Sequence, residues 1–254
     1  HKFQRNGCHP NPPRRKQSVS QQLTNKTALI SGATRGLGKH IAIELAKHGA
    51  HIIALGRTVG ALEELDDEIK NSGGTATLIP IDLLEEEKLD AIGPSLFPRF
   101  DALDFFIGNA AYLSTLSPVT HFKTEEWHKV IGTNLTANWL LLRSLDPLLR
   151  RAETGKAVFI TDHQTSENPE AYWGPYAASK AALESLVKAY AEEIKETPIK
   201  AWLYNPGPMG TKLRRKAFPG EDQSTLPLPE TIAKHLVETL INNQHPSGST
   251  ITYT

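Results

Sequence analysis

The stretch Ser31-Gly32-Ala33-Thr34-Arg35-Gly36-Leu37-Gly38 constrains this chain more than any other. An apolar run, Thr27-Ala28-Leu29-Ile30, leads into it, and a helical pattern of Ile41, Ile43, Leu45 and Ala46 follows. The glycines therefore fall where a strand turns into a helix. Gly32 permits a sharp turn, Gly36 lets the backbone pass close to a bulky ligand, and Gly38 lets the new helix pack on the strand. The helix start, with Thr34, Arg35 and Leu37 on the same turn, offers free N–H groups and partial positive charge, suited to a pyrophosphate. The spacing is Gly-x-x-x-Gly-x-Gly rather than the Gly-x-Gly-x-x-Gly of the common dinucleotide fingerprint. A glycine pattern alone also serves a strand–helix turn that holds no ligand, so the rest of the chain decides.

From Thr27 onward the pattern alternates. Strands are expected at Thr27–Ser31, His51–Leu55, Thr75–Ile81, Leu103–Ile107, Ala157–Thr161, Ile199–Tyr204 and Thr250–Tyr253, and helices at 37–48, 59–72, 85–92, 124–151, 171–196 and 230–242. Short apolar strands separated by helices predict an α/β fold: one doubly wound Rossmann-type domain, with a parallel sheet of about seven strands covered by helices on both faces. The 254 residues suffice for one such domain with a sizeable core. The domain is expected to span 24–254, with a variable flap at 208–229 where Pro219, Pro227 and Pro229 cluster. Residues 1–23, basic and proline-bearing with no acidic residue before Glu44, read as a disordered tail; a transit-type targeting segment is the competing reading.

Zero formal net charge gives no reason to expect nucleic acid or an anionic membrane as a partner. No apolar run approaches the ~20 residues of a membrane span, and no apolar signal region opens the chain. With one cysteine, Cys8, no intramolecular disulfide forms, and a cytoplasmic location is expected. No metal is indicated, because ten histidines include no His-Glu-x-x-His and no paired ligand spacing. The absence of Gly-x-Ser-x-Gly speaks against serine hydrolysis.

In doubly wound sheets, ligands bind beyond the C-terminal strand ends, and the informative residues fall there. After the second strand stands Arg57, where an NAD site calls for an acidic residue. With Arg35 it suits a ribose 2′-phosphate, favouring NADP(H) over NAD(H). After the third strand, Asp82 and Leu83 are placed to hold the adenine edge, with a helix N-cap as the alternative for Asp82. Tyr176 and Lys180 lie four apart in a helical stretch and share a face. An ammonium beside a phenol lowers its pKa from about 10 toward neutrality, and a phenol so tuned can protonate a carbonyl oxygen or deprotonate an alcohol. Tyr172 and Trp173 are divided between pocket and core, and Trp139 is expected to pack.

Taken in order, Ser31–Gly38, Asn109-Ala110-Ala111, Asn134, Tyr176–Lys180 and Asn205-Pro206-Gly207-Pro208-Met209-Gly210-Thr211 resemble the motifs of the classical short-chain dehydrogenases/reductases, over roughly 24–254. The resemblance implies hydride transfer between a nicotinamide cofactor and a carbonyl or alcohol substrate, with Tyr176 as acid/base. It implies that Lys180 lowers the phenol's pKa and holds the nicotinamide ribose, and that Asn134 sustains a water-linked proton relay to Lys180. Asn109 and Ala110 would line the cofactor, and Pro206, Gly207 and Thr211 would lie against the nicotinamide amide. A homodimer or homotetramer is implied through the helices at 124–151 and 171–196. Two places depart: mildly, Gly108-Asn109-Ala110-Ala111 stands where the family usually has Asn-Asn-Ala-Gly, and the serine that the family places 13 residues before the tyrosine is replaced by His163, with Thr161, Thr165 or Ser166 able to substitute only in a re-registered loop. His163 is a candidate donor to the substrate oxygen. Losing one such hydrogen bond costs roughly 1.5–3 kcal/mol, which slows a reaction without abolishing it. The alternative is a catalytically impaired NADP-binding sensor or scaffold.

Overall fold

The computed structural model describes residues 21–242 and 244–254. Its strands are β1 (Thr27–Ser31), β2 (His51–Gly56), β3 (Thr75–Pro80), β4 (Phe105–Gly108), β5 (Lys156–Ile160), β6 (Lys200–Asn205) and β7 (Thr250–Thr252). They form one sheet in the order β3-β2-β1-β4-β5-β6-β7, with every pairing parallel. β1 is apolar throughout its middle because both of its faces are covered.

Alternate residues of each strand feed opposite layers. Ile30, Ile52, Ala54 and Ile107 pack with α1 (Gly36–Lys47), α2 (Val59–Asn71) and α10 (Pro229–Asn242). Leu29, Ile53, Leu55 and Phe106 pack with α3 (Glu86–Asp90), α4 (Ile92–Leu96), α6 (Ala137–Leu149) and α8 (Gly174–Glu193). The period-two pleat thus splits one sheet between two cores. Winding runs outward from β1 to β3, then β4 returns to the other side of β1. That reversal opens a crevice beyond the C-terminal ends of β1 and β4.

The long helix expected over 124–151 is interrupted. α5 (Thr124–Ile131) passes into a π-helical turn, Gly132–Thr136, before α6. Such turns cluster at functional sites and leave no trace in hydrophobic periodicity. The expected flap contains α9 (Lys212–Ala217), and the loop after β5 holds α7 (His163–Glu167); each is too short to show periodicity.

The domain also begins earlier than residue 24. Leu23 is buried, and its N–H donates to the His48 carbonyl at 2.9 Å. The expected disorder of the tail falls on residues 1–20, which lie outside the described residues. Trp139 does not pack in the core. It is 43% exposed on α6, where the Arg143 guanidinium lies 4.5 Å from its ring centroid. Among the described residues, no helix is long and apolar enough to cross a membrane.

Candidate active site

The two strand ends beside the crevice are stapled together. Ser31 Oγ accepts the N–H groups of Asn109 and Ala110, each at 3.1 Å. Asn109 Nδ2 donates back to the carbonyls of Ser31 and Gly32, each at 3.1 Å. The approach is close enough to require glycine. Gly32 has φ +64°, and a Cβ there would stand 2.9 Å from Ala110 Cα. A Cβ on Gly38 would overlap the Asn109 amide and the Gly32 carbonyl. The start of α1 has no side-chain cap, so its first N–H groups remain open to an anion.

These features border a cavity of about 1290 Å³, ample for a ligand larger than drug-sized, whose pockets run ~300–1,000 Å³. Gly32, Thr34, Arg35, Gly36, Leu37, Arg57, Asp82, Leu83, Asn109, Ala110, Tyr176, Lys180, Pro206, Gly207 and Thr211 all line it. Arg35 and Arg57 are both exposed, and among the described residues neither has a carboxylate partner. Asp82 is not a helix cap. Its Oδ1 accepts the Leu84 N–H at 3.0 Å in a local turn, and α3 starts only after Glu85. Gly38 stays behind the wall, as its packing role requires.

Pro175 near the first turn of α8 suits a helix start and sets Tyr176 and Lys180 one turn apart, both buried. Lys180 Nζ donates to the Ile160 carbonyl at the end of β5, at 3.0 Å, and lies 5.7 Å from the Tyr176 ring centroid. Burial holds this lysine at about 8, against the opposing pull of Asp162 and Glu184. The phenol of Tyr176 is pushed up, first by burial and then by the Asp162 charge. The sequence expectation gives Lys180 the opposite pull on the phenol, toward neutrality; its ammonium donates to the Ile160 carbonyl, and burial leads the shift of the phenol.

His163 and Asn134 do not line the cavity. The His163 imidazole turns onto two carboxylates, with Nδ1 3.1 Å from Glu184 Oε2 and Nε2 3.4 Å from Glu167 Oε1. Glu184 is buried and also accepts hydrogen bonds from Thr161 Oγ1 at 2.7 Å and Ser166 Oγ at 2.8 Å. The expected substrate donor is therefore part of a clamp behind the site. Asn134 is fully buried in the π-helical turn. Its Oδ1 accepts the Tyr112 N–H at 2.7 Å, and its Nδ2 donates to the Tyr112 carbonyl at 3.1 Å and to Ser179 Oγ at 3.0 Å. Its own carbonyl accepts Asn138 Nδ2 at 2.8 Å.

Sequence reasoning missed Asp162, which lines the cavity beside Tyr176 and Lys180. Its Oδ1 caps α7 by accepting the Thr165 N–H at 3.1 Å; an Asp just before a short turn was the available signal. The apolar end of the cavity was legible only as Trp173. There the Trp173 ring stands edge-on to Tyr176 at 5.6 Å and 5.7 Å from Phe218, with Leu113, Leu213 and Ala217 around them. α9 brings these residues over the site. It is held by the Arg214–Glu221 pair at 2.7 Å and by Lys216 Nζ donating to the Leu113 carbonyl at 2.6 Å. Tyr172 is 55% exposed at φ 75°.

Residues 26–222 match the family model for short chain dehydrogenase. The oxidoreductase YciK of Escherichia coli K12 is 30% identical over 219 residues, which are 85% of this chain and 86% of that protein. A short chain dehydrogenase of Escherichia coli CFT073, complexed with NADPH, superposes with a TM-score of 0.86 at 29% identity, covering 92% of this chain and 98% of that one. One from Shigella flexneri 2a, complexed with NADP, gives the same TM-score and identity over 93% and 99%.

Proposed function

Because the chain belongs to the short-chain dehydrogenase family, we propose that it reduces a carbonyl compound, or oxidises the corresponding alcohol, with Tyr176 as the acid/base. The observation that carries this reading is the placement of Tyr176 and Lys180 in the same cavity as the glycine turn. The cofactor is NADP(H). The cradle fits it: an uncapped helix start behind glycines that admit no side chain, and two exposed arginines without carboxylate partners among the described residues. Arg35 and Arg57 would hold the 2′-phosphate, the α1 N–H groups the pyrophosphate, and Thr211 with Pro206 and Gly207 the nicotinamide end. When bound, the cofactor supplies the hydride to the substrate carbon.

Everything else falls to the chain's own side chains. The Tyr176 phenol keeps its proton at neutral pH because burial and Asp162 disfavour the phenolate. It is therefore a general acid, donating that proton to the substrate oxygen, a contribution of roughly 10²–10⁴-fold. Lys180, a cation below about 8, offsets the charge left on the phenol as the proton moves. Trp173 and Phe218 exclude water from the reacting end. Self-association as a dimer or tetramer, and work in the cytoplasm, belong to the same reading.

The test is NADPH oxidation by the purified protein against ketones, aldehydes and quinones, with Tyr176→Phe alongside. Turnover that collapses in the variant supports the reading. Tight NADPH binding without turnover in either protein favours a non-catalytic NADP-binding role.

A further inference from the structure

We propose that Asp162 is the substrate-facing group of this site, and that it selects carbonyl compounds bearing a hydrogen-bond donor, ammonium or hydroxyl, on the carbon next to the carbonyl. The inference rests on the proposed reductase reading and assigns its substrate class.

Three observations carry it. First, the loop after β5 is fixed in one orientation. The buried Glu184 carboxylate gathers Thr161 Oγ1, His163 Nδ1 and Ser166 Oγ within 2.7–3.1 Å. With Thr161 and His163 both held toward Glu184, the residue between them is Asp162, which lines the cavity with Tyr176 and Lys180. Second, its carboxylate is only half used. Oδ1 accepts the Thr165 N–H, while Oδ2 has no hydrogen-bond partner among the described residues. Its charge reaches both members of the catalytic pair, raising the phenol and supporting the ammonium. Third, the cavity also takes in the Trp173–Phe218 chamber, which fits an apolar body, next to the polar side chains of Asn168 and Glu170. Two of the flap's cations are occupied, Arg214 by Glu221 and Lys216 by the Leu113 carbonyl, while Lys212 and Arg215 also line the cavity.

A carboxylate accepts hydrogen bonds and cannot donate them. It opposes negative charge on the substrate oxygen, where the family's serine would support it. A donor beside the carbonyl reverses that penalty, because it gives the open Oδ2 a charge-assisted hydrogen bond. An Asp at this place therefore changes which substrate is accepted rather than simply slowing a common reaction.

The experiment compares kcat/KM with NADPH for 2-amino-1-phenylethanone, 2-hydroxy-1-phenylethanone and the donor-free isostere propiophenone, in wild type, Tyr176→Phe and Asp162→Asn. Asparagine keeps the oxygen that caps α7, so the fold is spared. We expect the wild type to prefer the donor-bearing ketones by at least about tenfold, and the preference to shrink to within about threefold in Asp162→Asn. A preference that survives in Asp162→Asn, or a wild type that favours propiophenone, overturns the proposal while leaving Tyr176 catalysis standing.

A binding arm does not depend on turnover. Calorimetry on the NADPH-saturated protein compares 2-phenylethylamine with benzyl methyl ether. The amine should bind about tenfold tighter to wild type and equally to Asp162→Asn; equal binding to wild type overturns the proposal. If Tyr176→Phe turns over like wild type, the acid/base reading fails, and this arm still decides the role of Asp162.

Discussion

His163 Nδ1 stands 3.1 Å from Glu184 Oε2, and His163 does not line the cavity that holds Tyr176. With its ring nitrogens turned to Glu184 and Glu167, His163 is expected to act structurally and not as a donor to the substrate. His163→Asn should therefore leave kcat within about threefold of wild type, since no hydrogen bond to a reacting atom, worth roughly 1.5–3 kcal/mol, is removed. Steady-state kinetics on any ketone that is turned over checks this. A loss of a hundredfold would return the imidazole to the substrate.

Glu184 is the costly member of that pairing. Its removal leaves Thr161, His163 and Ser166 without their shared acceptor inside the protein. Glu184→Ala should cost about 3 kcal/mol, which at this chain length lowers Tm by about 6–12 °C. Thermal unfolding by circular dichroism reads it. Glu184→Gln, which retains one acceptor oxygen, should fall between the two. Equal melting of wild type and Glu184→Ala would mean that water replaces the clamp.

The arginines beyond β1 and β2 separate the two nicotinamide cofactors. A paired or stacked guanidinium on a phosphate is among the stronger polar contacts. Arg57→Ala and Arg35→Ala should each weaken NADPH by about tenfold, the equivalent of ~1.4 kcal/mol, and NADH hardly at all. Fluorescence titration with both cofactors gives the ratio. A variant that weakens both equally would place the guanidinium on the pyrophosphate instead.

How far the sequence could be read follows the range of the signal. The sheet, its parallel sense and the glycine crevice were legible because strand apolarity and the spacing Gly32, Gly36, Gly38 are local. Tyr176 and Lys180 share the cavity because i and i+4 on one helix is local too. His163 was misplaced because its orientation is decided 21 residues away, by Glu184 on α8. Lys180 was expected to lower the phenol because spacing reports proximity but not desolvation. The π-helical turn at Gly132–Thr136 is invisible to a search for period 3.6, and α7 and α9 are shorter than two turns. Asp162 was passed over because counting from the tyrosine pointed one residue further on.

Buried ionisable groups set the pH profile of stability. Lys156 and Lys180 are both held at about 8 in the folded chain, chiefly by burial, against an ordinary value of 10.5. Between those values the unfolded chain binds more protons, so stability rises as pH increases from about 8 toward 10. Tyr176, Tyr190 and Tyr204 are pushed above their ordinary value of 10.0 by burial. Above it the unfolded chain loses protons that the folded one keeps, and stability falls. Scanning calorimetry from pH 7 to 11 should therefore show Tm passing through a maximum between about 9 and 10. A Tm that declines steadily from pH 7 would refute the burial of these lysines.

Gly32 and Gly207 share a left-handed backbone, at φ +64° and +66°, but differ in what surrounds them. An alanine at 207 meets nothing within 4 Å, so only the backbone penalty of about 1 kcal/mol applies. An alanine at 32 carries the same penalty and also drives its Cβ to 2.9 Å from Ala110 Cα and 3.2 Å from Asn109 Nδ2. Neither neighbour can swing aside, because Ser31 Oγ holds the Ala110 N–H and the Asn109 amide is bonded to two carbonyls. The staple across β1 and β4 must open, and the cofactor cradle opens with it. Gly32→Ala should then lower Tm more than Gly207→Ala and weaken NADPH by at least about tenfold, while Gly207→Ala changes affinity less. Melting and NADPH titration on the two variants decide it. Similar losses in both would mean that conformational strain, and not the approach of the two strand ends, is what demands glycine at the head of α1.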